Sequence, residues 1–226
     1  FGIHSSDRRS DLSSRMSDAC DNAAADQPAE KAVCELSGTL YSSETLSPSK
    51  CALYELVGNY QVPKGVTLTA DAGTKIKGNN NFRLMFEGVG RFSGTSDKPI
   101  ELDRVKVYPA GFSTPEIEMS HVKWNMGYFS LADNLQFFSK ANLSQSTFSG
   151  VSFNANASSY YPKGNIDFNF YDNVVSGANW SLNLYYPERN LTFDFDIQRS
   201  QFSGMSQMYF HGPYYYRNSL LNLTLK

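Results

Sequence analysis

Three aspartates and one arginine are the residues of this 226-residue chain whose spacing most suggests chemistry. Asp167 and Asp194 lie 27 residues apart, as do Asn169 and Asp196, and Arg199 follows closely. If that interval is one structural repeat, Lys140, Asp167 and Asp194 form one outward row, and Asn142, Asn169 and Asp196 form the next. Carboxylates held so close repel one another unless a cation, a lysine or open water relieves them, and hard oxygen ligands of this kind suit calcium. On this reading Asp167, Asp194 and Asp196 hold the ion. The plainer reading is a solvated strand face with no cofactor.

A second set of residues suits binding rather than reaction. Tyr160-Tyr161-Pro162-Lys163-Gly164-Asn165 recurs as Tyr185-Tyr186-Pro187-Glu188-Arg189-Asn190, and again, with its proline moved, as Pro213-Tyr214-Tyr215-Tyr216-Arg217-Asn218. Tyrosine holds its shape with few rotamers and offers a flat face that matches the apolar face of a sugar ring, while Lys163, Arg189, Arg217 and the asparagines can hydrogen-bond hydroxyls. The candidate ligand-binding residues are therefore Tyr160, Tyr161, Tyr185, Tyr186, Arg189, His211, Tyr214, Tyr215, Tyr216 and Arg217, expected along one edge. The alternative is that these tyrosines stack on one another and bind successive turns together, at about 0.5–1.5 kcal/mol per pair.

The element that must position both sets is a repeat. Ser149-Gly150, Ser176-Gly177 and Ser203-Gly204 recur every 27 residues, each preceded by an apolar residue: Phe148, Val175 and Phe202. Five positions further back stand Leu143, Phe170 and Ile197, with Ser146, Asn173 and Ser200 between the rows. A period of this length predicts a stacked solenoid. Each coil would contribute short strands that alternate between interior and solvent, with parallel hydrogen bonding between coils. Leu135, Phe137, Ala141, Leu143, Ile166, Phe168, Phe170, Leu191, Phe193, Phe195 and Ile197 then point inward. The Ser146, Asn173, Ser200 row fits an inward polar ladder at a bend, satisfying amides that no strand reaches. Leu221, Leu223 and Leu225 continue the alternation, and since nothing polar closes that end, a missing segment or a protein partner is expected there.

Composition narrows the function classes. With 14 Tyr, 16 Phe and 19% charged residues the chain can fill a core, and a net charge of −2 gives no electrostatic reason to expect nucleic acid. No apolar run is long enough for a membrane-spanning helix. The opening Phe1-Gly2-Ile3-His4 lacks an initiator Met and a signal-peptide core, so a processed or trimmed chain is expected. Cys20, Cys34 and Cys51 all lie in the first quarter; Cys34 with Cys51 is the preferred disulfide, three reduced thiols being the alternative. His4, His121 and His211 are far apart, so no zinc site is expected, and His121 reads as a surface residue of a strand. Five Asn-X-Ser/Thr sequons, at Asn142, Asn156, Asn179, Asn190 and Asn222, matter only in a eukaryotic secretory setting.

Nearer the N-terminus, Asp26-Gln27-Pro28 looks like a helix start, and Ala29, Ala32, Val33 and Leu36 make one apolar helical face. A short helix here would cap the first coil of the solenoid. From Leu56 the period becomes two: Val66-Thr67-Leu68-Thr69 and Thr74-Lys75-Ile76-Lys77 alternate between turn residues. Together with Val62-Pro63-Lys64-Gly65, Ala72-Gly73, Phe86-Glu87-Gly88 and Gly94-Thr95-Ser96-Asp97-Lys98-Pro99-Ile100, this stretch resembles the first coils of secreted right-handed parallel β-helix proteins of the pectin-lyase-like fold. The resemblance covers about residues 56 to 103, and the 27-residue repeat extends it to the end. If the chain is like the pectate-lyase-like enzymes, the resemblance implies calcium held by strand-face carboxylates, here Asp167, Asp194 and Asp196, beside an Arg or Lys base, for which Arg199 lies nearby in the sequence; the sequence carries no assignable calcium-and-base motif. The Gly-His-Gly of the hydrolase branch is absent, and Phe210-His211-Gly212 matches it only in part.

The expected fold is all-β: a right-handed parallel β-helix over 56–226, with a tail and capping α-helix over 1–55. The expected function is non-catalytic binding of a polysaccharide or host glycan, in a secreted, extracellular or cell-surface protein. The alternatives are a polysaccharide lyase or related enzyme using the acidic face with calcium, and a structural or adhesive stalk.

Overall fold

The computed structural model describes residues 32–111, 113–133, 136–157, 164–184, 191–204, 207–211 and 220–225. Among them every helix or strand is a strand, and the strands fall into three columns. The first column holds β2 (Glu44–Leu46), β4 (Thr67–Asp71), β7 (Val89–Ser93), β10 (Glu116–Ser120), β14 (Lys140–Ser144), β17 (Gly164–Tyr171), β20 (Leu191–Gln198) and β23 (Leu220–Leu225). The second begins with the first half of β3 (Leu53–Val62) and continues through β5 (Lys75–Lys77), β8 (Ile100–Asp103), β11 (Val122–Asn125), β15 (Thr147–Ser149), β18 (Val174–Ser176) and β21 (Gln201–Ser203). The third starts with the second half of β3 and adds β6 (Leu84–Phe86), β9 (Lys106–Pro109), β12 (Tyr128–Asp133), β16 (Ser152–Ala157), β19 (Asn179–Leu184) and β22 (Gln207–His211). Each coil visits the columns in turn, and coil pairs with coil in parallel. The chain is a parallel β-solenoid.

The register is the one the repeat predicts. Leu143 pairs with Phe170 and Phe170 with Ile197; Phe148 pairs with Val175 and Val175 with Phe202. Because side chains alternate across a strand, stacking identical phases buries one set in every coil. Phe148, Phe168, Phe170 and Trp124 are among the largest fully buried side chains. Phe170 alone meets Phe148, Phe153, Phe168, Trp180 and Phe202 at centroid distances of 5.6, 5.8, 5.8, 5.2 and 6.0 Å, so its ring ties together three successive coils.

The two corners that follow the first and second columns are built from left-handed residues. At the second corner Arg104, Met126, Gly150, Gly177 and Gly204 have φ of 51°, 48°, 64°, 60° and 57°. The repeated Ser-Gly thus marks a bend where glycine adopts this conformation without the Cβ penalty that Arg104 and Met126 carry. Arg104, Met126, Gly150 and Gly177 each donate their amide to the coil above, to Asn125, Ser149, Ser176 and Ser203. The first corner repeats the device with His121, Gln145, Asp172 and Arg199. His121 is therefore a bend residue rather than a strand residue, and its Nδ1 is buried without a partner. Just inside this corner the polar ladder is formed: Asn173 Oδ1 accepts from the Ser146 amide at 2.9 Å, Asn173 Nδ2 donates to the Leu143 carbonyl at 2.8 Å, and the Asn173 amide donates to Ser200 Oγ at 3.2 Å.

Two expectations are corrected. Val33 and Leu36 lie in a strand, β1 (Val33–Thr39), parallel to β3 from Val33 opposite Leu53 to Thr39 opposite Gln61. The described solenoid thus includes residues 33–55 as well, and residues 1–31 of the expected tail and cap lie outside the described residues. The physical reason is that the open edge of β3 offers β1 backbone partners on both sides of a bulge between Leu36 and Gly38, which outweighs a marginal helical periodicity. The Cys34–Cys51 disulfide ties that strand down across 17 residues. Phe137 is buried as expected, but in β13 (Gln136–Phe137), which pairs antiparallel with β12, rather than in the coil that carries Ala141 and Leu143. Leu135 lies outside the described residues.

Candidate functional site

The acidic rows form on the outer face of the first column. Lys140, Asp167 and Asp194 are in register on β14, β17 and β20, as are Asn142, Asn169 and Asp196. Alternation forces them outward, because Ala141, Phe168 and Phe195, their neighbours in sequence, are buried. They are joined by hydrogen bonds. Asn169 Nδ2 donates to Asn142 Oδ1 at 2.9 Å and to Asp167 Oδ1 at 2.8 Å. The Tyr171 phenol hydrogen is shared between Asp196 Oδ2 at 2.7 Å and Asn169 Oδ1 at 2.8 Å, and Gln198 Nε2 donates to both Asp196 oxygens. Desolvation pushes the Tyr171 phenol up to about 12, helped by its bond to Asp196 and by the charges of Asp196, Asp167 and Asp194.

This arrangement changes the roles assigned to the acids. Among the described residues no three His, Cys, Asp or Glu side chains come together closely enough to hold a metal ion. Asp167 and Asp196 spend their oxygens on amides and a phenol. Arg199 does not face them as a base: its Nε and Nη2 grip Asp172 at 2.7 and 2.8 Å, at the corner. Both partners respond, the Asp172 carboxyl being held low by that guanidinium and Arg199 being held high by the carboxylate. Lys140 lies 3.8 Å from Glu118 on the preceding coil. Asn142, Asn169, Asp167, Tyr171, Asp196 and Gln198 thus form a joined amide, carboxylate and phenol array that can exchange hydrogen bonds with hydroxyl groups, while Asp194, in register with Asp167, makes no side-chain hydrogen bond or ion pair among the described residues.

The tyrosine corners are placed only by connectivity. Segments 158–163, 185–190 and 212–219, which carry Tyr160, Tyr161, Tyr185, Tyr186, Arg189, Tyr214, Tyr215, Tyr216 and Arg217, lie outside the described residues and lead from β16, β19 and β22 into β17, β20 and β23. His211 is opposite Asn183 at the end of β22.

A further cluster was not legible at the 27-residue period. On the outer face of the third column the Arg83 guanidinium lies over the Tyr108 ring, 4.4 Å from its centroid. Tyr108 stacks in turn on Tyr128, with centroids 5.2 Å apart and planes 19° from parallel. Lys106 is opposite Tyr128 in the ladder. Burial, then the neighbouring Tyr108 and Asp133, pushes the Tyr128 phenol up to about 12; burial also raises Tyr108, against the pull of Arg83. The signal that would have found this cluster is an outward row at positions 83, 106 and 128, spaced by 23 and 22 residues, which a fixed longer period passes over.

No family model, curated protein or solved structure matches the chain.

Proposed function

We propose that this chain is an extracellular or cell-surface module, of the right-handed pectin-lyase-like kind, that binds a polysaccharide or host glycan without turning it over. The observation that carries this reading is the first-column face, where Asn142, Asn169, Asp167, Tyr171, Asp196 and Gln198 form a continuous hydrogen-bonded array on a rigid sheet. Sugars are recognised by such groups: amides and carboxylates bond hydroxyls in pairs, and aromatic rings cover the apolar ring face. The tyrosine-rich segments lead directly into the strands that carry the array. An array whose acids are engaged with amides and a phenol favours recognition over metal-assisted elimination. The Cys34–Cys51 bridge fits an oxidising compartment.

The test is binding of the whole chain to a glycan panel, with and without calcium, using wild type, Tyr161→Ala, Tyr186→Ala, Tyr215→Ala, Asn169→Ala and Asp194→Asn. Expected is retention of at least one glycan, weakened about five- to thirtyfold by two or more of the variants at unchanged melting temperature. Melting losses in all three tyrosine variants without any loss of binding would leave those residues as glue and favour a stalk. Calcium-dependent cleavage that Asp194→Asn abolishes would replace the binder by a lyase.

A further inference from the structure

The outer face of the third column, over β6, β9 and β12, differs electrostatically from the other strand faces. On the other strand faces most cations are matched by carboxylates one coil away or next in sequence, Lys123 on the second column being an exception. Lys75 meets Glu101 at 3.2 Å, Lys77 meets Glu55 at 3.3 Å, Arg104 meets Asp103 at 3.0 Å, and Arg91 and Lys140 both meet Glu118. Arg83 and Lys106 make no ion pair among the described residues. Of the acids around this face, Glu87 is bonded by Gln61, and Asp133, at the end of β12, has interactions of its own and its charge reaches Tyr108 and Tyr128. Arg83 is instead held over an aromatic ring. A guanidinium placed by such a contact loses less freedom on binding, and its N–H fork can grip a planar anion in a bidentate way. Beside it Tyr108, flanked by Arg83 and by the stacked Tyr128, has its ring faces covered, and the half-buried Tyr128 carries the aromatic surface next to both cations.

We propose that this face is a binding site for an anionic polysaccharide, with Arg83 and Lys106 taking the carboxylate or sulfate groups, Tyr128 lying against a sugar ring and Tyr108 holding Arg83 in place. Charge complementarity selects an anion, and aromatic surface beside it selects a ligand with apolar ring faces. The strand spacing of about 4.8 Å sets Arg83, Lys106 and Tyr128 out along the solenoid axis, the arrangement a linear polymer can follow. This site is on a different column from the amide and carboxylate array and does not rest on the function proposed for that array.

The experiment is affinity electrophoresis of the whole chain through gels containing polygalacturonate, dextran sulfate or neutral dextran, with a single-stranded oligonucleotide as competitor. Expected is retardation by one or both anionic polymers, the pair distinguishing carboxylate from sulfate, and none by dextran. Arg83→Ala and Lys106→Ala should each weaken retention about tenfold, Arg83→Lys should restore part of it, and melting temperatures should not move. Raised salt should weaken binding further, since the charges are exposed. Lys123, an exposed cation on the second column, controls for bulk charge. An equal loss in Lys123→Ala, unchanged retention in an Arg83→Ala/Lys106→Ala double variant, equal retardation by dextran, or displacement by the oligonucleotide at equimolar sugar units would each overturn the proposal. Loss of retention in Asp194→Asn or Tyr186→Ala but not in Arg83→Ala would assign glycan binding to the array and refute this site alone.

Discussion

The coils from β14 to β21 and the coils from β2 to β12 solve the same stacking problem with different side chains. In the later coils the offset is a constant 27 residues, so like meets like: Asn142 faces Asn169, Ser149 faces Ser176, Phe168 faces Phe195. Amides and hydroxyls can then partner their own counterparts, as in the Ser146, Asn173, Ser200 ladder and the array around Asn169 and Tyr171. In the earlier coils the offsets vary, and unlike residues meet: Lys75 faces Glu101, and Tyr128 faces Lys106. Those faces are held by ion pairs or left with cations beside aromatic rings. The difference teaches that an exact repeat lets equivalent amides and hydroxyls partner one another, whereas an irregular one sets cations against carboxylates or rings; burial without a partner occurs in both, at His121 Nδ1 and Trp124 Nε1 in the earlier coils and at Asn156 Oδ1 and Trp180 Nε1 in the later ones.

The largest expected effect tests the repeat itself. Phe170→Ala deletes a ring that bridges three coils and should cost about 3–5 kcal/mol, measured by urea denaturation. A solenoid is stabilised between nearest-neighbour coils, so the loss should fall on the later coils and split the transition. A single, uniformly shifted transition would show that the two regions are more tightly coupled than the comparison holds.

Asn173→Ala comes next. It strips the acceptor from the Ser146 amide and the donor from the Leu143 carbonyl, both buried, and should cost about 1–3 kcal/mol. Amide hydrogen exchange at Ser146 should accelerate in step. Unchanged exchange there would mean that the ladder does not hold the corner.

The smallest effect is expected from Tyr171→Phe, read through pH. Its phenol titrates near 10 when unfolded and about 12 when folded. A proton held more tightly in the folded state stabilises fully below pH 10, and that contribution is lost as the pH rises towards 12. Wild type should therefore lose stability between pH 10 and 12, and Tyr171→Phe should lose less. Tyr128, also near 12, acts with the same sign in the early coils, so part of the slope should remain. An identical slope in wild type and variant would remove Tyr171 from the array's electrostatics.

Much of the fold was legible because it is local arithmetic. A two-residue alternation decides which side chains face the core, and a constant 27-residue offset decides which of them touch, so Leu143, Phe170 and Ile197 could be stacked from the sequence alone, as could the acid rows outside them. The acids' roles were less legible. Register places Asp167, Asp194 and Asp196 on one face, but the directions of the Asp167 and Asp196 carboxylates depend on Asn169, Tyr171 and Gln198 reaching them.

What the sequence determined by itself is therefore the solenoid register, the buried rows and the bend ladder; it made Cys34 with Cys51 the preferred pair, and the folded chain, which brings β1 beside β3, forms that bridge. Only the tertiary structure decided that Val33 and Leu36 form a strand, because the edge of β3 supplies partners that local periodicity cannot reveal. Likewise, only the folded chain brought Arg83 over Tyr108 and turned Arg199 to Asp172, since these contacts join residues 25 and 27 positions apart whose meeting depends on where each coil ends. Alternation along a strand is written in neighbouring residues, whereas the meeting of two side chains across coils is a non-local sum of loop lengths, corner geometry and backbone pairing.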